Sequence, residues 1–274
     1  MTVAADGRDR AQRWSALLAL LGDRGRLSVA EAAVTLAVSE ATIRRDFAAL
    51  ADRQLATRTH GGVVATGVAY DLPARYRGRV DADRPQLDRK RRIAAAAAAL
   101  LEPGTVVGFN GGTTTTATAR RLAARTDLQQ RDATDPAITV VTNALNIANE
   151  LLVRSRMKIV VTGGIVRPQS FELVGPLGGA ILGEVTFDIA LLGADAIDVR
   201  LGAAAHNEGE AAINALMVAR AKRVVIIADS SKLGGHAFAR ICPIDRIDTL
   251  VTDDHAVPEV VGAFEEAGVK VVIA

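Results

Sequence analysis

The sequence predicts an α/β protein of two domains: a small helical domain that ends in a β-hairpin, then a larger domain built on a doubly wound, mostly parallel sheet. The chain has 274 residues, of which 49% are hydrophobic, whereas one domain usually holds about 100 to 200 residues. Its first third shows helical periodicity with short connections, and from Ile93 onward apolar runs of strand length alternate with helical stretches. The expected divisions are residues 1–66 for the first domain, 67–92 for a linker and 93–274 for the second domain.

Charge is distributed unevenly between the two predicted domains. Residues 1–92 carry a net charge of +6 and the remaining residues one of −4, which together give the +2 of the whole chain. A basic segment joined to an acidic one indicates polyanion binding by the first domain, because Lys and Arg that contact phosphates release counterions. A solvated, arginine-rich surface is the alternative. Aromatic residues make up only 3% of the chain, so single-stranded nucleic acid would find few stacking platforms.

Helical spacing and capping residues predict three short helices in the first domain. Apolar residues recur at helical spacing from Trp14 to Leu21, after which glycines end the first helix. Ser28 caps the second helix, and Glu31 completes a capping box. Only two residues separate that helix from Ser39, a good N-cap for a third helix over 40–53. Two helices joined by so short a turn predict a helix-turn-helix.

The third helix carries the residues expected to read DNA. Its apolar residues share one face, which leaves Thr42, Arg44 and Arg45 on other faces near the helix start, where recognition helices meet base edges. Adjacent arginines point about 100° apart, so one can reach a guanine while the other holds a phosphate. The next segment alternates toward two glycines and predicts a two-stranded wing, with Arg58 and His60 along the DNA backbone. The candidate DNA-contacting residues are Ser28, Ser39, Thr42, Arg44, Arg45, Arg58 and His60.

The segment 67–92 is predicted to be a linker with some helix. It is charged, contains Pro73 and Pro85, and shows little apolar periodicity. It ends in the basic run Arg89–Arg92, which we interpret as the solvated start of a helix and not as a second DNA contact.

The second domain is predicted to be a mostly parallel sheet covered by helices on both faces. Such sheets bind ligands outside the carboxyl ends of their strands, so these ends are the places to seek a site. The predicted strands span 105–109, 138–142, 158–162, 189–192, 224–228, 249–252 and 269–273.

The residues that follow five of these strands indicate an anion site. After the first strand, Gly111 and Gly112 lead through four threonines into a helix. Glycines let the backbone close around an anion, a helix start offers free N–H groups, and threonine hydroxyls add donors. Further glycine or polar residues follow at 142–143, 163–164, 193–195 and 229–232. Neither the G-x-G-x-x-G nor the P-loop pattern occurs at these turns, so no nucleotide cofactor is expected.

Two motifs resemble those of the DeoR family of bacterial transcriptional regulators. The segment Val38–Phe47 reads Val-Ser-Glu-Ala-Thr-Ile-Arg-Arg-Asp-Phe, and Arg58–Gly62 reads Arg-Thr-His-Gly-Gly. The family signature has Leu where Phe47 stands here, which keeps an apolar core residue. The resemblance runs from about Arg13 to Ala274. It implies a repressor of a carbohydrate operon, controlled by a phosphorylated sugar that binds a domain similar to ribose 5-phosphate isomerase.

The resemblance also implies roles for residues at the strand ends. Gly112 to Thr115 are expected to hold the phosphate, while Asn143, Asp195, Glu210 and Lys232 are expected to contact or orient the sugar. The full set of candidate effector-binding residues is Gly111, Gly112, Thr113, Thr114, Thr115, Thr142, Asn143, Gly163, Gly164, Asp195, Glu210, Asp229 and Lys232.

A sugar-phosphate isomerase is the main alternative function. The segments 193–195 and 227–232 resemble isomerase motifs, but such an enzyme also needs a carboxylate to shuttle a proton and a cation or donor to stabilise the enediolate. Where such isomerases carry these two groups, this chain has Ala-His-Asn-Glu at 205–208 and Asn214. Both chemical groups are therefore expected to be missing, and the protein is predicted not to be an enzyme. A ligand-free architectural DNA-binding protein is a third possibility, which the five polar strand ends disfavour.

Composition argues against several other classes. The single Cys242 excludes an internal disulfide framework, and four scattered histidines show no metal-binding pattern. The longest aliphatic run, Ile93–Leu101, is far shorter than the roughly 20 residues of a membrane span. We therefore expect a cytoplasmic protein without metal or membrane partner, which binds double-stranded operator DNA as a homodimer or homotetramer, because dimers match two-fold operators.

Overall fold

The computed structural model describes residues 13–14, 16–18, 20–21, 24, 26–52, 55–59, 61–65, 84–125, 127–129, 136–152 and 156–274. The chain divides into two compact units, Met1–Arg79 and Val80–Ala274. The expected end of the linker, after residue 92, falls inside a helix that spans Arg84–Ala99. Within the described ranges no helix is long and apolar enough to cross a membrane.

The first unit is a winged helix-turn-helix. Its described elements are β1 (Arg26–Ser28), α1 (Val29–Leu36), α2 (Glu40–Asp52), β2 (Ala56–Thr59) and β3 (Gly62–Ala65), and the described positions from 13 to 24 are helical. The predicted hairpin β2–β3 is present, with Thr59 opposite Gly62. The wing is nevertheless three-stranded, in the order β1-β3-β2, because β1 pairs antiparallel with β3. β1 has only three residues, too few to produce a recognisable alternation.

Capping and apolar packing hold the two helices as predicted. The Ser28 hydroxyl accepts a hydrogen bond from the Glu31 N–H at 3.2 Å, and the Glu31 carboxylate accepts one from the Ser28 N–H at 3.1 Å. Ala37 ends α1 in the left-handed conformation with φ of 53°. The buried core of this unit comprises Leu17, Leu21, Leu27, Val29, Ala32, Ile43, Phe47, Leu50, Ala56 and Val63.

A seven-stranded parallel sheet forms the centre of the second unit, as predicted. Its strands are β4 (Val106–Phe109), β5 (Ile138–Thr142), β6 (Met157–Val161), β9 (Phe187–Gly193), β12 (Ala221–Ile227), β14 (Thr249–Thr252) and β15 (Lys270–Ile273), in the order β15-β14-β12-β9-β4-β5-β6. The chain builds one side of the sheet from β4 outward and then returns to build the other side from β9. The strand order therefore reverses between β4 and β9, and ligands bind at such a switch point in open α/β sheets.

Helices cover both faces of this sheet. They are α3 (Arg84–Ala99), α4 (Thr113–Ala123), α5 (Leu145–Leu152), α6 (Pro176–Glu184), α7 (Glu208–Arg220) and α8 (Pro258–Glu266). Alternate strand residues enter two separate apolar clusters, because successive side chains point to opposite faces. One cluster includes residues of α3, α4 and α5, and the other includes residues of α6, α7 and α8.

Two antiparallel additions were not predicted from the sequence. β7 (Ile165–Arg167) and β8 (Glu172–Val174) form a hairpin, and β10 (Ala196–Asp198), β11 (Gly202–Ala205) and β13 (Ala239–Cys242) form a small sheet. Each strand has three or four residues, and β11 consists only of glycine and alanine. Segments of three or four residues are too short to show the alternation that marks a strand, and β11 also lacks β-branched side chains.

The basic run Arg89–Arg92 was wrongly interpreted as a solvated helix start. It lies in the middle of α3, since the helix begins at Arg84 with Pro85 in its first turn. The Lys90 Nζ lies 3.9 Å from the Asp229 Oδ2, and Arg92 forms an ion pair with Asp254. The acidic residues that follow β12 and β14 thus attract this face of α3.

Candidate functional sites

The start of α2 presents cationic and hydroxyl side chains to solvent. Ser39 caps the helix by accepting a hydrogen bond from the Thr42 N–H at 3.2 Å, and its hydroxyl lies 2.9 Å from that of Thr42. Arg44 and Arg45 are exposed. The Arg44 guanidinium pairs with the Glu40 carboxylate one turn earlier, at 2.7 Å. An exposed pair of this kind is worth about 0.3–0.5 kcal/mol, so a nucleic acid can readily compete for Arg44.

A buried carboxylate of α2 binds the helical segment at positions 13–24, which precedes β1 and α1. Asp46 is 2% exposed. Its oxygens accept hydrogen bonds from the Arg13 Nε at 2.5 Å and the Trp14 Nε1 at 2.8 Å. This contact orients the recognition helix, and sequence reasoning missed it because more than thirty residues separate the partners.

The other predicted DNA-contacting residues occupy different settings. Arg58 is exposed on β2. The hydroxyl and backbone of Ser28 are engaged in the capping box of α1. His60 lies outside the described residues. The structure thus presents Arg44, Arg45 and Arg58 to solvent in the same unit.

In the second unit, the turn from β4 into α4 forms a cradle of backbone N–H groups. Gly112 occupies the N-cap position with φ of 130°, a conformation that side chains rarely adopt, and no side chain caps this helix. The first N–H groups of a helix lack partners within it, so those of α4 can receive an anion. The Thr115 and Thr116 hydroxyls donate to the Gly112 carbonyl at 3.0 and 2.7 Å. They are therefore not ligand donors in this structure, contrary to expectation for Thr115.

The ends of β4 and β9 are tied together beside this cradle. The Asn110 amide donates to the Gly193 carbonyl at 2.9 Å and accepts from the Gly193 N–H at 2.8 Å. A Cβ atom at Gly193 would lie 3.5 Å from the Thr115 Cγ2. Asp195, two residues later, accepts from the His206 N–H at 2.8 Å. The structure thus brings the first and fourth predicted strand ends together.

The ends of β5 and β6 approach the same region through the hairpin β7–β8. The Thr142 hydroxyl accepts from the Ala144 N–H at 3.0 Å and so shapes the turn into α5. The Asn143 carbonyl accepts from the Leu173 N–H of β8 at 2.7 Å. Gly163 and Gly164 connect β6 to β7 with φ values of 76° and 131°. These residues position the hairpin more than they form a separate site.

Glu172 of β8 lies directly behind the cradle and was missed by sequence reasoning. It is 3% exposed, and its Oε1 accepts a short hydrogen bond from the Gly111 N–H. Burial first, and the neighbouring Glu210 carboxylate second, raise the pKa of Glu172 to about 8, against the lowering effect of the Gly111 N–H. The side chain therefore carries a proton at neutral pH. No local pattern marks it, because 61 positions separate Glu172 from Gly111.

Glu210 of α7 faces the hairpin. Asn207 caps α7 by accepting from the Glu210 N–H at 3.1 Å. The Glu210 carboxylate lies 3.5 Å from the Arg167 guanidinium of β7, with exposed fractions of 14% and 30% for the two side chains. The predicted residue Glu210 thus reaches the region of Glu172, with Arg167 as an unpredicted neighbour.

Asp229 and Lys232 follow β12, the neighbour of β9. The Asp229 carboxylate is buried and accepts from the Ser231 N–H at 3.2 Å, which caps the short 3₁₀ helix Ser230–Lys232. The Lys90 Nζ lies 3.9 Å from the same carboxylate. Lys232 is half-buried at the end of this helix.

Family models match both units. A model described as the DeoR-like helix-turn-helix domain matches residues 13–67, and one described as the DeoR C-terminal sensor domain matches residues 85–254. The chain belongs to the DeoR family. This DeoR-family chain is 36% identical to the "HTH-type transcriptional regulator GlpR" of Haloferax volcanii, over 96% of the chain and 97% of that protein.

Two further DeoR-family relatives match over most of their length. The chain is 31% identical to a "putative aga operon transcriptional repressor" of Escherichia coli O157:H7, over 96% of the chain and 93% of that protein. It is 27% identical to the "glycerol-3-phosphate regulon repressor" of Escherichia coli K12, over 88% and 90%. The DeoR-family chain is therefore a DNA-binding transcriptional regulator and not a sugar-phosphate isomerase.

Solved structures resemble the DeoR-family chain at a greater distance. Ribose 5-phosphate isomerase A from Methanocaldococcus jannaschii aligns with a TM-score of 0.39 and 19% identity, over 53% of each chain.

Proposed function

We propose that this regulator represses a carbohydrate operon and that a phosphorylated sugar, bound at the cradle of α4, changes its affinity for operator DNA. The observation that carries this proposal is the uncapped start of α4, where Gly112 leaves the first N–H groups of the helix without side-chain partners. A phosphate dianion suits these groups and the positive end of the helix dipole. The relatives named as repressors of the aga operon and the glycerol-3-phosphate regulon support this assignment.

Residues around the cradle supply the other contacts of the proposed effector. Gly112, Thr113 and Thr114 would hold the phosphate through backbone N–H groups, while Asn143, Asp195 and Glu210 would contact the sugar hydroxyls. Gly111, whose N–H donates to Glu172, would shape the cradle. Lys232 would add a positive charge from the end of β12. Thr142, Gly163, Gly164 and Asp229 would act by shaping the turns that carry these residues.

DNA binding is assigned to residues 1–66, with the start of α2 in the major groove. Thr42, Arg44 and Arg45 would contact base edges and phosphates, and Arg58 and His60 would contact the backbone along the wing. Ser39 would act through the N-cap of α2 and Ser28 through that of α1. The protein would work in the cytoplasm as a homodimer or homotetramer, since one short recognition helix gives limited specificity.

Fluorescence anisotropy tests this proposal. Labelled DNA from upstream of the protein's own gene is titrated with protein at fixed salt, with and without a panel of sugar phosphates. One compound is expected to shift the binding curve, and the sign of the shift distinguishes release from promotion of DNA binding. Specific DNA binding that no sugar phosphate changes would contradict the effector assignment.

A charge added at the cradle separates the two functions. Thr113→Glu places a carboxylate in the first turn of α4, where it favours the helix but repels a phosphate. We expect this variant to bind DNA normally and to lose its response to the effector. Thr186→Glu is the matched control, because Thr186 is exposed and precedes β9 at the opposite edge of the sheet.

A further inference from the structure

The hairpin β7–β8 and the start of α7 form an acidic group of side chains beside the cradle. This group, called the acidic subsite, consists of Arg167, Glu172, Asp195 and Glu210. Arg167 and Glu172 lie opposite each other in the hairpin, and Glu210 lies 3.5 Å from Arg167. Glu210 and Asp195 both act electrostatically on Glu172 and raise its pKa. With Glu172 protonated at neutral pH, two carboxylates, those of Asp195 and Glu210, and one guanidinium remain charged in this group.

Buried oxygen acceptors without donors adjoin the acidic subsite. Asn143 is fully buried, and its amide nitrogen donates to the Leu173 carbonyl at 3.3 Å, which holds the amide beside the residue that follows Glu172. Within the described part of the chain, no group donates to the Asn143 Oδ1. The same holds for the Oδ1 of Asn214, which is 2% exposed. The Glu210 Oε1 also accepts no hydrogen bond, but it lies 3.5 Å from the Arg167 guanidinium. Asn214 follows Glu210 by four residues and so lies on the same face of α7.

This surplus of acceptors specifies the chemistry of a matching ligand group. Buried polar atoms are normally hydrogen-bonded, so oxygens of this kind select a ligand rich in donors. A hydroxyl supplies a single donor, whereas an ammonium group supplies three and also compensates excess negative charge. The carboxylates of Asp195 and Glu210 outnumber the guanidinium of Arg167, and a neutral sugar leaves this negative charge uncompensated.

We propose that the preferred effector is a phosphorylated amino sugar, with its phosphate on the cradle of α4 and its ammonium group in the acidic subsite. This inference rests on the proposed function, because it takes the cradle as the phosphate site. Glu210 is the specificity-determining residue in this arrangement, since its carboxylate is partly exposed and its ion pair with Arg167 is long, at 3.5 Å.

Calorimetric titration of the full chain with matched ligand pairs tests the inference. The pairs are glucosamine 6-phosphate with glucose 6-phosphate, galactosamine 6-phosphate with galactose 6-phosphate, and serinol phosphate with glycerol 3-phosphate. Inorganic phosphate is titrated alone. At neutral pH we expect the amino member of at least one pair to bind about tenfold more tightly than its hydroxyl twin, as electrostatic complementarity requires.

The Glu210→Gln variant tests the cause of this preference. It removes one negative charge and keeps an acceptor oxygen, so the preference should fall to about threefold or less while inorganic phosphate binds at least as well. Glu265→Gln, at an exposed position of α8, should leave the preference unchanged.

The remaining outcomes separate the inference from the proposed function. Hydroxyl members that bind as tightly as the amino members in every pair would overturn the amino-sugar assignment alone. Binding of inorganic phosphate without binding of any pair would do the same. Failure of inorganic phosphate and of every sugar phosphate to bind would overturn the proposed function, and the inference with it.

Discussion

Replacing Glu172 by Gln should stabilise the sensor unit, and the gain should grow with pH. The pKa of Glu172 is raised from 4.5 to about 8 in the folded protein. The folded state therefore binds the proton more tightly than the unfolded state does. The contribution of this group to stability is greatest below about pH 4.5, falls as the pH rises toward 8, and is constant above that.

The size of the effect follows from the pKa difference. At pH 7 the folded protein keeps its proton on Glu172, whereas the unfolded chain has lost this proton about 2.5 pH units below. At 1.36 kcal/mol per unit, this difference lowers the free energy of unfolding by about 3 kcal/mol. Gln is neutral at all these pH values and keeps an oxygen that can accept from the Gly111 N–H. The variant should therefore gain about 3 kcal/mol at pH 7, or roughly 6 to 12 °C in the Tm of a unit of this size. Near pH 5 the gain should be below about 1 kcal/mol.

Thermal unfolding of the variant and the parent chain at both pH values measures this effect. Glu265→Gln is the control for removing an exposed carboxylate, and its effect should be small at both pH values. Equal changes in Tm at pH 5 and pH 7, or a lower Tm of Glu172→Gln at pH 7, would refute the interpretation of Glu172 as a buried, protonated side chain.

Three other predictions concern the recognition helix, the cradle and the wing. Asp46→Ala should destabilise the first unit by about 3 kcal/mol, as expected when a buried ion pair loses one partner. Denaturant unfolding of the full chain measures this loss, and an unchanged midpoint would contradict the contact of Asp46 with Arg13 and Trp14. Gly111→Ala should weaken phosphate binding in calorimetry, because its Cβ would overlap the side chain behind the cradle, whereas Gly262→Ala in α8 meets no atom within 4 Å and should not. Arg45→Ala should cost about 1–3 kcal/mol of specific DNA affinity in anisotropy titrations, whereas Arg58→Ala should weaken binding to all sequences and reduce the salt slope by about 1. Equal salt slopes for both variants and the parent chain would contradict the assignment of Arg58 to the DNA backbone.

The large secondary-structure elements could be predicted because their signals are local. Ser28 and Glu31 form the expected capping box, and β5 and β14 begin and end where the apolar runs do. Short strands escaped prediction for the converse reason. β1 and the hairpin β7–β8 have three residues each, and pairing with a partner strand defines them more than their own residues do.

The candidate ligand site was only partly predictable. Glycines and polar residues after a strand are visible in one sequence, and so Gly112, Asn143 and Asp195 could be named as candidates. The roles of their side chains were not visible. Thr115 was expected to serve as a ligand donor, yet its hydroxyl bonds to the Gly112 carbonyl one turn earlier.

The sequence by itself determined which family signature the chain carries, where its main helices and strands lie, and which glycines and polar residues stand at the strand ends. Periodicity, capping and turn residues act over a few positions, so a linear reading captures them. Only the tertiary structure decided that Asp46 fastens the recognition helix to Arg13 and that Glu172 stands behind Gly111. Those contacts join residues 33 and 61 positions apart. Burial and neighbouring charges set the protonation of these two carboxyl groups and the strength of their contacts. Burial and these neighbours exist only once the chain has folded.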